Sequence, residues 1–267
     1  MKANVNGIET YYEVHGKEGA PWLVFSHSLA CSVRMWDGEI EKHKDRFRVL
    51  AYDTRGHGQS AAPKGPYTLE QLADDLKALF THLKIDKPHF VGLSMGGMIG
   101  QTAALKYPGL FGSMTLCDTT SRYPAEAAPM WADRIRVAES KGMEPLVQGT
   151  LERWFTESFR KTSKDKVERV AALIRSTPVA GYAGCCAAIP KINVTSRLKE
   201  IRTPTLVICG NDDPATPPSM AREIQENIPG AKLSLIPQAA HLANIEQPDA
   251  FNRALADFLS SPASVRA

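Results

Sequence analysis

A serine flanked by glycines is the strongest chemical signal in this sequence. Residues 92–97 read Gly-Leu-Ser-Met-Gly-Gly, and Ser94 lies between an apolar run at residues 89–93 and a helical pattern that begins near Met95. A sharp strand-to-helix turn forces such a serine outward, and it needs glycine at positions 92 and 96 because side chains there would clash. We therefore predict that Ser94 is a nucleophile. A tight structural turn with an idle serine is the competing interpretation.

A serine hydroxyl attacks poorly until a base removes its proton, so the hypothesis requires a histidine. His241 lies in the loop between the last predicted strand and the last predicted helix. Loops at the carboxyl ends of parallel strands converge on one crevice, and we therefore predict that His241 is the base. His27 ends a strand beside a candidate oxyanion-binding loop, so we expect it near the site without this role. The remaining five of the seven histidines are His15, His43, His57, His82 and His89.

The carboxylate that orients the base is expected in another such loop. Residues 210–217 read Gly-Asn-Asp-Asp-Pro-Ala-Thr-Pro and follow an apolar run at residues 205–209. Either Asp212 or Asp213 can orient the imidazole of His241, and the other can cap the loop.

Strand and helix patterns alternate over residues 1–120 and again over residues 197–267. Apolar runs predict strands at residues 8–14, 22–26, 48–52, 89–93, 113–117, 205–209 and 232–236, and helical spacing predicts helices at residues 68–83, 95–107, 219–227 and 247–259. Residues 121–196, which we call the lid, show no convincing strand and predict helices at residues 129–139, 143–155, 164–175 and 181–189. The sequence thus predicts an α/β core with a mostly parallel central sheet, flanked by helices and interrupted by a helical lid. The last residues, from about Ser261, are expected to fray.

Composition excludes several classes of protein. The chain has 267 residues, of which 43% are hydrophobic and 23% charged, and these values are typical of a globular protein with one large domain. A net charge of +3 spread over the chain gives no reason to expect a nucleic-acid or membrane surface. Residues 1–14 show no basic-then-apolar leader, and five cysteines favour free thiols over a disulfide framework, so we expect a cytoplasmic protein. The sequence leaves a homo-oligomer open.

The chain resembles the α/β-hydrolase superfamily. The glycine-flanked Ser94, residues 210–217 and His241 carry this resemblance, in the order serine, aspartate, histidine that the superfamily shows. In members with this loop the acid is the third residue after the glycine, so the resemblance selects Asp213 over Asp212. Residues 53–60 also match the superfamily, where the segment is a structural loop without a chemical role.

The resemblance narrows to the 3-oxoadipate enol-lactonases of aromatic-compound catabolism by the β-ketoadipate pathway. It is carried by residues 26–29, 34–37, 92–97, 151–155, 181–189 and 241–248, and so extends through the lid. It implies a Ser-His-Asp hydrolase that opens a small five-membered lactone bearing a carboxylate, without a cofactor. No paired histidine or cysteine spacing suggests a metal site.

Two backbone N–H groups are expected to bind the oxyanion. Met95 follows the nucleophile at the positive end of a helix and is one predicted donor. By similarity the second donor is Leu29, with Ser28 as the alternative. Ser28 stands where the broad superfamily usually has glycine.

The substrate carboxylate calls for an arginine near the pocket. The candidates are Arg34, Arg122, Arg134, Arg136, Arg153 and Arg160. We predict Arg134, because Trp131 lies one helical turn away on the same face and forms an aromatic wall beside the cation. The alternative for any one of these arginines is a solvated position on the outer lid surface, and Trp154 and Phe155 are expected in the lid core.

Two other functions compete with the enol-lactonase hypothesis. One is another carboxylesterase or a serine-dependent perhydrolase with the same catalytic residues and a different lid pocket. The other is a ligand-sensing receptor that retains these residues and uses apolar lid positions such as Met130, Trp131, Met143 and Leu146 as a partner surface. Turnover distinguishes an enzyme from a receptor, because a receptor completes only a few slow cycles.

Overall fold

The computed structural model describes residues 1–261, and its centre is an eight-stranded sheet. The strands are β1 (Lys2–Val5), β2 (Ile8–His15), β3 (Trp22–Ser26), β4 (Arg48–Tyr52), β5 (His89–Leu93), β6 (Ser113–Cys117), β7 (Thr205–Gly210) and β8 (Lys232–Ile236). Their spatial order is β1-β2-β4-β3-β5-β6-β7-β8. The pairs β1–β2 and β2–β4 are antiparallel, and every other pair is parallel, which confirms the predicted mostly parallel sheet. The expected fraying beyond Ser261 concerns residues 262–267, which lie outside the described residues.

The described α-helices number eleven and cover the sheet and form the lid. They are α1 (Asp37–His43), α2 (Leu69–Leu83), α3 (Met95–Lys106), α4 (Ala128–Lys141), α5 (Glu144–Trp154), α6 (Glu157–Thr162), α7 (Lys164–Ser176), α8 (Val179–Ala188), α9 (Pro218–Asn227), α10 (Ala243–Glu246) and α11 (Pro248–Leu259). Helices α2 and α3 pack together beside β1 and β5, and α1 and α11 contact each other. The predicted α/β fold with flanking helices is confirmed.

The central strands are buried on both faces, which explains their continuous apolar runs. Every residue of β6 and β7 is buried, as are the last four residues of β3, β4 and β5. Helix α2 is amphipathic and begins at a capping threonine, because the Thr68 side chain accepts a hydrogen bond from the N–H of Gln71. Helix α3 is buried along eleven of its twelve residues, so its apolar residues show no single face.

Short elements were not predicted. Strand β1 has only four residues and α10 has four, too few to show a period. Helix α1 follows a 3₁₀ turn at Val33–Trp36, where the Ser32 side chain caps the N–H of Arg34. Helix α6 has six residues and begins at the capping Thr156. The longer predicted elements agree with the structure to within a few residues at their ends.

The two ends of the lid lie side by side. An antiparallel bridge joins Arg122 to Asn193, and the N–H of Val194 donates to the carbonyl of Ser121 at 2.8 Å. Five helices, α4 to α8, occupy the chain between them. The chain therefore leaves the core after β6 and returns to it at the same place, and the domain limits 121 and 196 stay a prediction.

Helix α8 of the lid packs directly against the core. A Cβ atom on Gly181 would lie 1.9 Å from the carbonyl oxygen of Gly56, so only glycine fits there. The N–H of Tyr67 donates to the carbonyl of Gly184 at 3.1 Å. These contacts fix α8 over the loop that follows β4.

All five cysteines are buried free thiols. No helix within residues 1–261 combines the length and apolar character needed to cross a membrane.

Candidate active site

The predicted sharp turn is present at Ser94. Its φ is 54° and its ψ is −113°, between the end of β5 and the start of α3. A Cβ on Gly92 would lie 2.4 Å from the carbonyl oxygen of Gly96, and a Cβ on Gly96 would lie 2.2 Å from that of Ser26. The N–H of Ser94 donates to the carbonyl of Cys117 at 2.8 Å. Glycine at both positions therefore allows the backbone to approach closely enough to hold Ser94 in this strained conformation.

His241 and Asp213 form a buried pair. The Nδ1 atom of His241 lies 2.8 Å from Oδ2 of Asp213, and the two residues are 3% and 2% exposed. Burial raises the pKa of Asp213, but the charge and hydrogen bond of His241 and hydrogen bonds from Thr216 outweigh it, so this pKa lies below its usual value. An Nδ1–H that donates to the carboxylate leaves Nε2 of His241 as an acceptor. Asp212, the alternative that the residues alone left open, is exposed.

The structure brings Ser94 and His241 to one cavity of about 130 Å³ under the lid. Within residues 1–261 no hydrogen bond joins Oγ of Ser94 to Nε2 of His241. Such hydrogen bonds are often long in a free enzyme and tighten when substrate binds. The three predicted residues Ser94, Asp213 and His241 thus lie together at the carboxyl edge of the sheet. His241 is hydrogen-bonded to Asp213 but not to Ser94 within the described residues.

Two backbone N–H groups that are predicted to bind the oxyanion lack an acceptor in the described part of the chain: that of Leu29, which lines the cavity, and that of Met95, which directly follows Ser94. The alternative donor is engaged elsewhere, because the N–H of Ser28 points to Sδ of Met35 at 3.3 Å. The geometry therefore favours Leu29 over Ser28. The Ser28 hydroxyl is buried, lines the cavity and has no partner among residues 1–261.

Two other buried histidines support the loop that carries Leu29. Nε2 of His57 accepts the N–H of Ala30 at 3.0 Å, and Nε2 of His27 accepts the N–H of Thr54 at 2.9 Å. Burial lowers the pKa of His27 to about 4 and that of His57 to about 3. Both are therefore neutral structural residues, in keeping with the expectation that His27 lies near the site without acting as the base.

The lid supplies part of the cavity wall. Its lining includes Met130, Trp131, Arg134, Arg153, Trp154 and Tyr182, and no aspartate or glutamate within the described residues. The guanidinium of Arg134 lies 4.5 Å from the centre of the Trp131 ring. The predicted pair of arginine and aromatic wall is therefore present at the cavity, with Arg153 as a second cation.

The other candidate arginines lie elsewhere. Arg34 pairs with Glu13 and Asp37, Arg122 pairs with Glu223, and Arg136 pairs with Asp133. Arg160 lines a separate surface depression.

Trp154 was expected in the lid core, but it lines the cavity and its ring centre lies 6.1 Å from that of His241. Phe155 is in the lid core as expected, with its ring stacked on Phe159. Apolar periodicity does not distinguish a residue that lines the cavity from one in the lid core, because Trp154 and Phe155 are both buried.

Glu246 is a functional candidate that the sequence did not single out. Its carboxylate accepts the N–H of Ala240 at 2.9 Å and the N–H and hydroxyl of Thr156 in the lid. The loop that carries His241 is therefore tied to the lid. The sequence placed Glu246 in a segment that resembles the enol-lactonases, but nothing there indicated a partner 90 residues away.

Asp118, Cys209 and Asp213 bring three potential metal ligands within 4.8 Å of one another. One oxygen of Asp118 accepts the N–H of Gly210 at 2.7 Å. Burial, and then the charge of Asp213, raise the pKa of Asp118 well above its usual value. The pKa of Asp118 is therefore raised and that of Asp213 lowered, as expected when one of two neighbouring carboxyls is paired with a histidine. That the site uses no metal or cofactor stays a prediction.

Comparisons with known proteins agree with this geometry. A family model for the α/β hydrolase fold matches residues 21–248. The chain is 36% identical to 3-oxoadipate enol-lactonase 2 of Acinetobacter baylyi over 244 residues, which cover 91% of this chain and 90% of that protein. A relative from Agrobacterium fabrum that bears the name carbamate hydrolase RutD is 30% identical and matches 93% of this chain and 97% of its own length.

Among solved structures, the enol-lactonase from Burkholderia xenovorans LB400 matches with a TM-score of 0.94 and 38% identity, covering 98% of this chain and 100% of that one. The resemblance predicted from the sequence is thereby confirmed. With its family match over most of its length and relatives above 30% identity, the chain belongs to the α/β hydrolase fold family.

Proposed function

We propose that this chain is a serine hydrolase that opens 3-oxoadipate enol-lactone to 3-oxoadipate in aromatic-compound catabolism by the β-ketoadipate pathway. One observation carries the proposal: Ser94 and His241 share a cavity that also exposes Arg134 and has no acidic side chain among its described lining residues. A cavity of this kind suits an ester or lactone that carries a negative charge. The similarity to enol-lactonases over nearly the whole chain supports the same substrate.

Acyl transfer begins at Ser94. Its hydroxyl oxygen attacks the lactone carbonyl carbon while Nε2 of His241 accepts the hydroxyl proton. Asp213, 2.8 Å from Nδ1 of His241, holds the imidazole in the required tautomer and stabilises its charged form. The N–H groups of Leu29 and Met95 receive the oxyanion, and each such donor typically lowers the barrier by about 3 kcal/mol.

The bond between the acyl carbon and the ring oxygen then breaks, and His241 gives its proton to the departing enol oxygen. Water attacks the resulting acyl-enzyme as His241 accepts a proton from it, and Ser94 regains its hydroxyl when the acid is released. The enol product tautomerises to a ketone, which draws the reaction forward. An enol is also a better leaving group than an ordinary alkoxide.

The substrate carboxylate is assigned to Arg134. Trp131 supports the guanidinium at 4.5 Å and supplies an apolar wall for the ring of the lactone. The residues that line the cavity include the hydrogen-bond donors Ser28, Arg134 and Arg153. They suit a substrate whose polar atoms are mostly acceptors.

The experiment that tests the function is turnover of purified protein on the enol-lactone, compared with p-nitrophenyl esters and with a carbamate. We expect many rapid cycles on the lactone and a much lower kcat/KM on the other two. The variant Ser94→Ala should lose this activity while its thermal unfolding stays close to that of the wild type. A preference for simple esters would favour a general carboxylesterase, and a few slow cycles on every substrate would favour a ligand-sensing receptor.

A further inference from the structure

Arg153 is a second arginine at the cavity, and no carboxylate of residues 1–261 lies within 4.0 Å of its guanidinium nitrogens. It lies in the last turn of α5 and lines the cavity together with Arg134 of α4. Its only hydrogen bond within residues 1–261 joins Nη2 to Oγ1 of Thr150 at a long 3.4 Å. Neither Arg153 nor Arg134 forms an ion pair with an aspartate or glutamate of the described chain.

Fifteen arginines lie within residues 1–261, and eight of them, including Arg134 and Arg153, form no ion pair with a carboxylate of that part of the chain. Seven arginines of the described chain pair with a carboxylate within 4.0 Å: Arg34, Arg55, Arg122, Arg136, Arg169, Arg175 and Arg197. Arg134 and Arg153 differ from the other unpaired arginines because they line the cavity of Ser94 and His241. Both arginines are only partly exposed, so water screens their charges less than it screens charges on an open surface.

The two cations act on each other. Burial lowers the pKa of Arg153, and the charge of Arg134 lowers it further. An arginine still keeps its charge at neutral pH, so the two guanidinium groups repel one another at the cavity. A bound anion relieves this repulsion and supplies acceptors for N–H groups that have none.

We propose that Arg153 is a second anion-binding residue, which together with Arg134 grips the substrate carboxylate and restricts the enzyme to lactones and esters that carry one. This inference rests on the proposed function and adds to it a preference for substrates that carry a carboxylate. Two planar guanidinium groups can donate several hydrogen bonds to the two carboxylate oxygens. A single cation on the lid surface offers fewer donors.

A matched pair of substrates isolates this role. The enol-lactone and its side-chain methyl ester share the same ring and leaving group, and differ in the charge of the side arm. For Arg153→Gln we expect the kcat/KM on the anionic lactone to fall at least about tenfold, mostly through KM, because a charge-assisted hydrogen bond is lost. On the methyl ester we expect a fall of only about twofold. Arg153→Lys, which keeps the charge but loses the planar fork, should lie between wild type and Arg153→Gln on the anionic lactone.

Arg136→Gln is the control, since it removes the same charge from an exposed lid position and should leave both substrates unaffected. Equal losses on the anionic and the neutral lactone, or no loss on either, would overturn the proposal. So would an Arg153→Lys variant as poor as Arg153→Gln on both. Should Arg153→Gln fail to fold, Arg153→Lys carries the same comparison.

The failure of this inference is distinguishable from that of the proposed function. If the wild type turns over neither lactone, the enol-lactonase proposal fails. A p-nitrophenyl ester with a terminal carboxylate and a neutral one of equal length then replace the lactones. If Arg153→Gln lowers kcat/KM on the anionic ester only, the role of Arg153 is still supported. If it lowers kcat/KM equally on both esters, that role is excluded.

Discussion

The carboxylate of Glu246 accepts a hydrogen bond from the N–H of Thr156, 3.1 Å away, and thereby joins the loop of the base to the lid. The same carboxylate accepts the N–H of Ala240, which directly precedes His241. Close by, the N–H of Leu242 donates to the carbonyl of Trp154 at 3.2 Å. The position of the imidazole therefore depends on lid residues that are remote in sequence.

Glu246→Gln should lower both stability and kcat. The amide has one acceptor oxygen in place of two, so at least one buried donor loses its partner, which costs about 1–3 kcal/mol. We expect a lower midpoint of thermal unfolding, and a lower kcat because the loop of His241 shifts. Thr156→Ser keeps the hydroxyl and the N–H and should behave as the wild type. An unchanged kcat in a Glu246→Gln variant of clearly reduced stability would show that this link has no effect on the base.

Asp213→Asn and Asp118→Asn separate the roles of two neighbouring acids. Asp213 has a lowered pKa and is ionised beside His241, whereas Asp118 has a raised pKa from burial and from the charge of Asp213. We expect Asp213→Asn to reduce kcat by about 10⁴-fold, because an amide no longer selects the correct imidazole tautomer. Asp118→Asn keeps an acceptor oxygen for the N–H of Gly210 and leaves the contact between Asp213 and His241 in place, so it should change kcat by less than about threefold.

The measurement is single-turnover and steady-state hydrolysis of the enol-lactone by both variants at neutral pH. A large loss of kcat in Asp118→Asn with a small loss in Asp213→Asn would show that the orienting carboxylate is Asp118, after β6, and that the assignment to Asp213, after β7, is wrong.

Glu39 should make stability fall as the pH rises. Burial raises the pKa of this carboxyl to about 7, above the value of an unfolded chain, despite hydrogen bonds from Asn244 and Asn252. An acid with a raised pKa binds more protons in the folded state, so the free energy of unfolding decreases between its unfolded and folded pKa values and is constant above both. The window therefore lies between about pH 4.5 and about pH 7.

Glu39→Gln should remove that decrease, which is on the order of 2 kcal/mol for a shift of this direction and size. The free energy of unfolding is measured by chemical denaturation at about pH 5 and about pH 8. In Glu39→Gln it should differ less between the two pH values than in the wild type. Glu41→Gln, at an exposed position of the same helix, should keep the wild-type difference. Identical pH dependence in both variants would remove Glu39 as its source.

The sequence predicted the parts of this protein that depend on local pattern. The strand and turn around Ser94 follow from an apolar run and two glycines, and the loops of Asp213 and His241 follow from their places after strands. Parallel strands bring such loops to one edge of a sheet, so the gathering of these residues was predictable. By contrast, β1 and α1 are too short to show a period.

The choice among the arginines was not predictable from local pattern. Arg122 and Glu223 are 101 residues apart, and Arg34 and Glu13 are 21 apart, so their ion pairs depend on the folded topology. The same holds for the thioether of Met35, which engages the N–H of Ser28, whereas the N–H of Leu29 has no acceptor among residues 1–261. Spacing on one helix did place Arg134 beside Trp131, because that relationship is local.

Gly181→Ala should destabilise the protein by displacing α8 from the core. The added methyl group would lie 1.9 Å from the carbonyl oxygen of Gly56, and backbone there has little room to yield. We expect a loss of at least about 1–3 kcal/mol, measured by thermal or chemical unfolding. Gly38→Ala is the matched control, because Gly38 lies in α1 and, apart from its chain neighbours and the backbone of its own helix, no atom of residues 1–261 lies within 4 Å of the added methyl group. There the higher helix propensity of alanine should stabilise the protein by up to about 1 kcal/mol. If both variants shifted stability in the same direction, the contact between Gly181 and Gly56 would not be what holds α8 against the core.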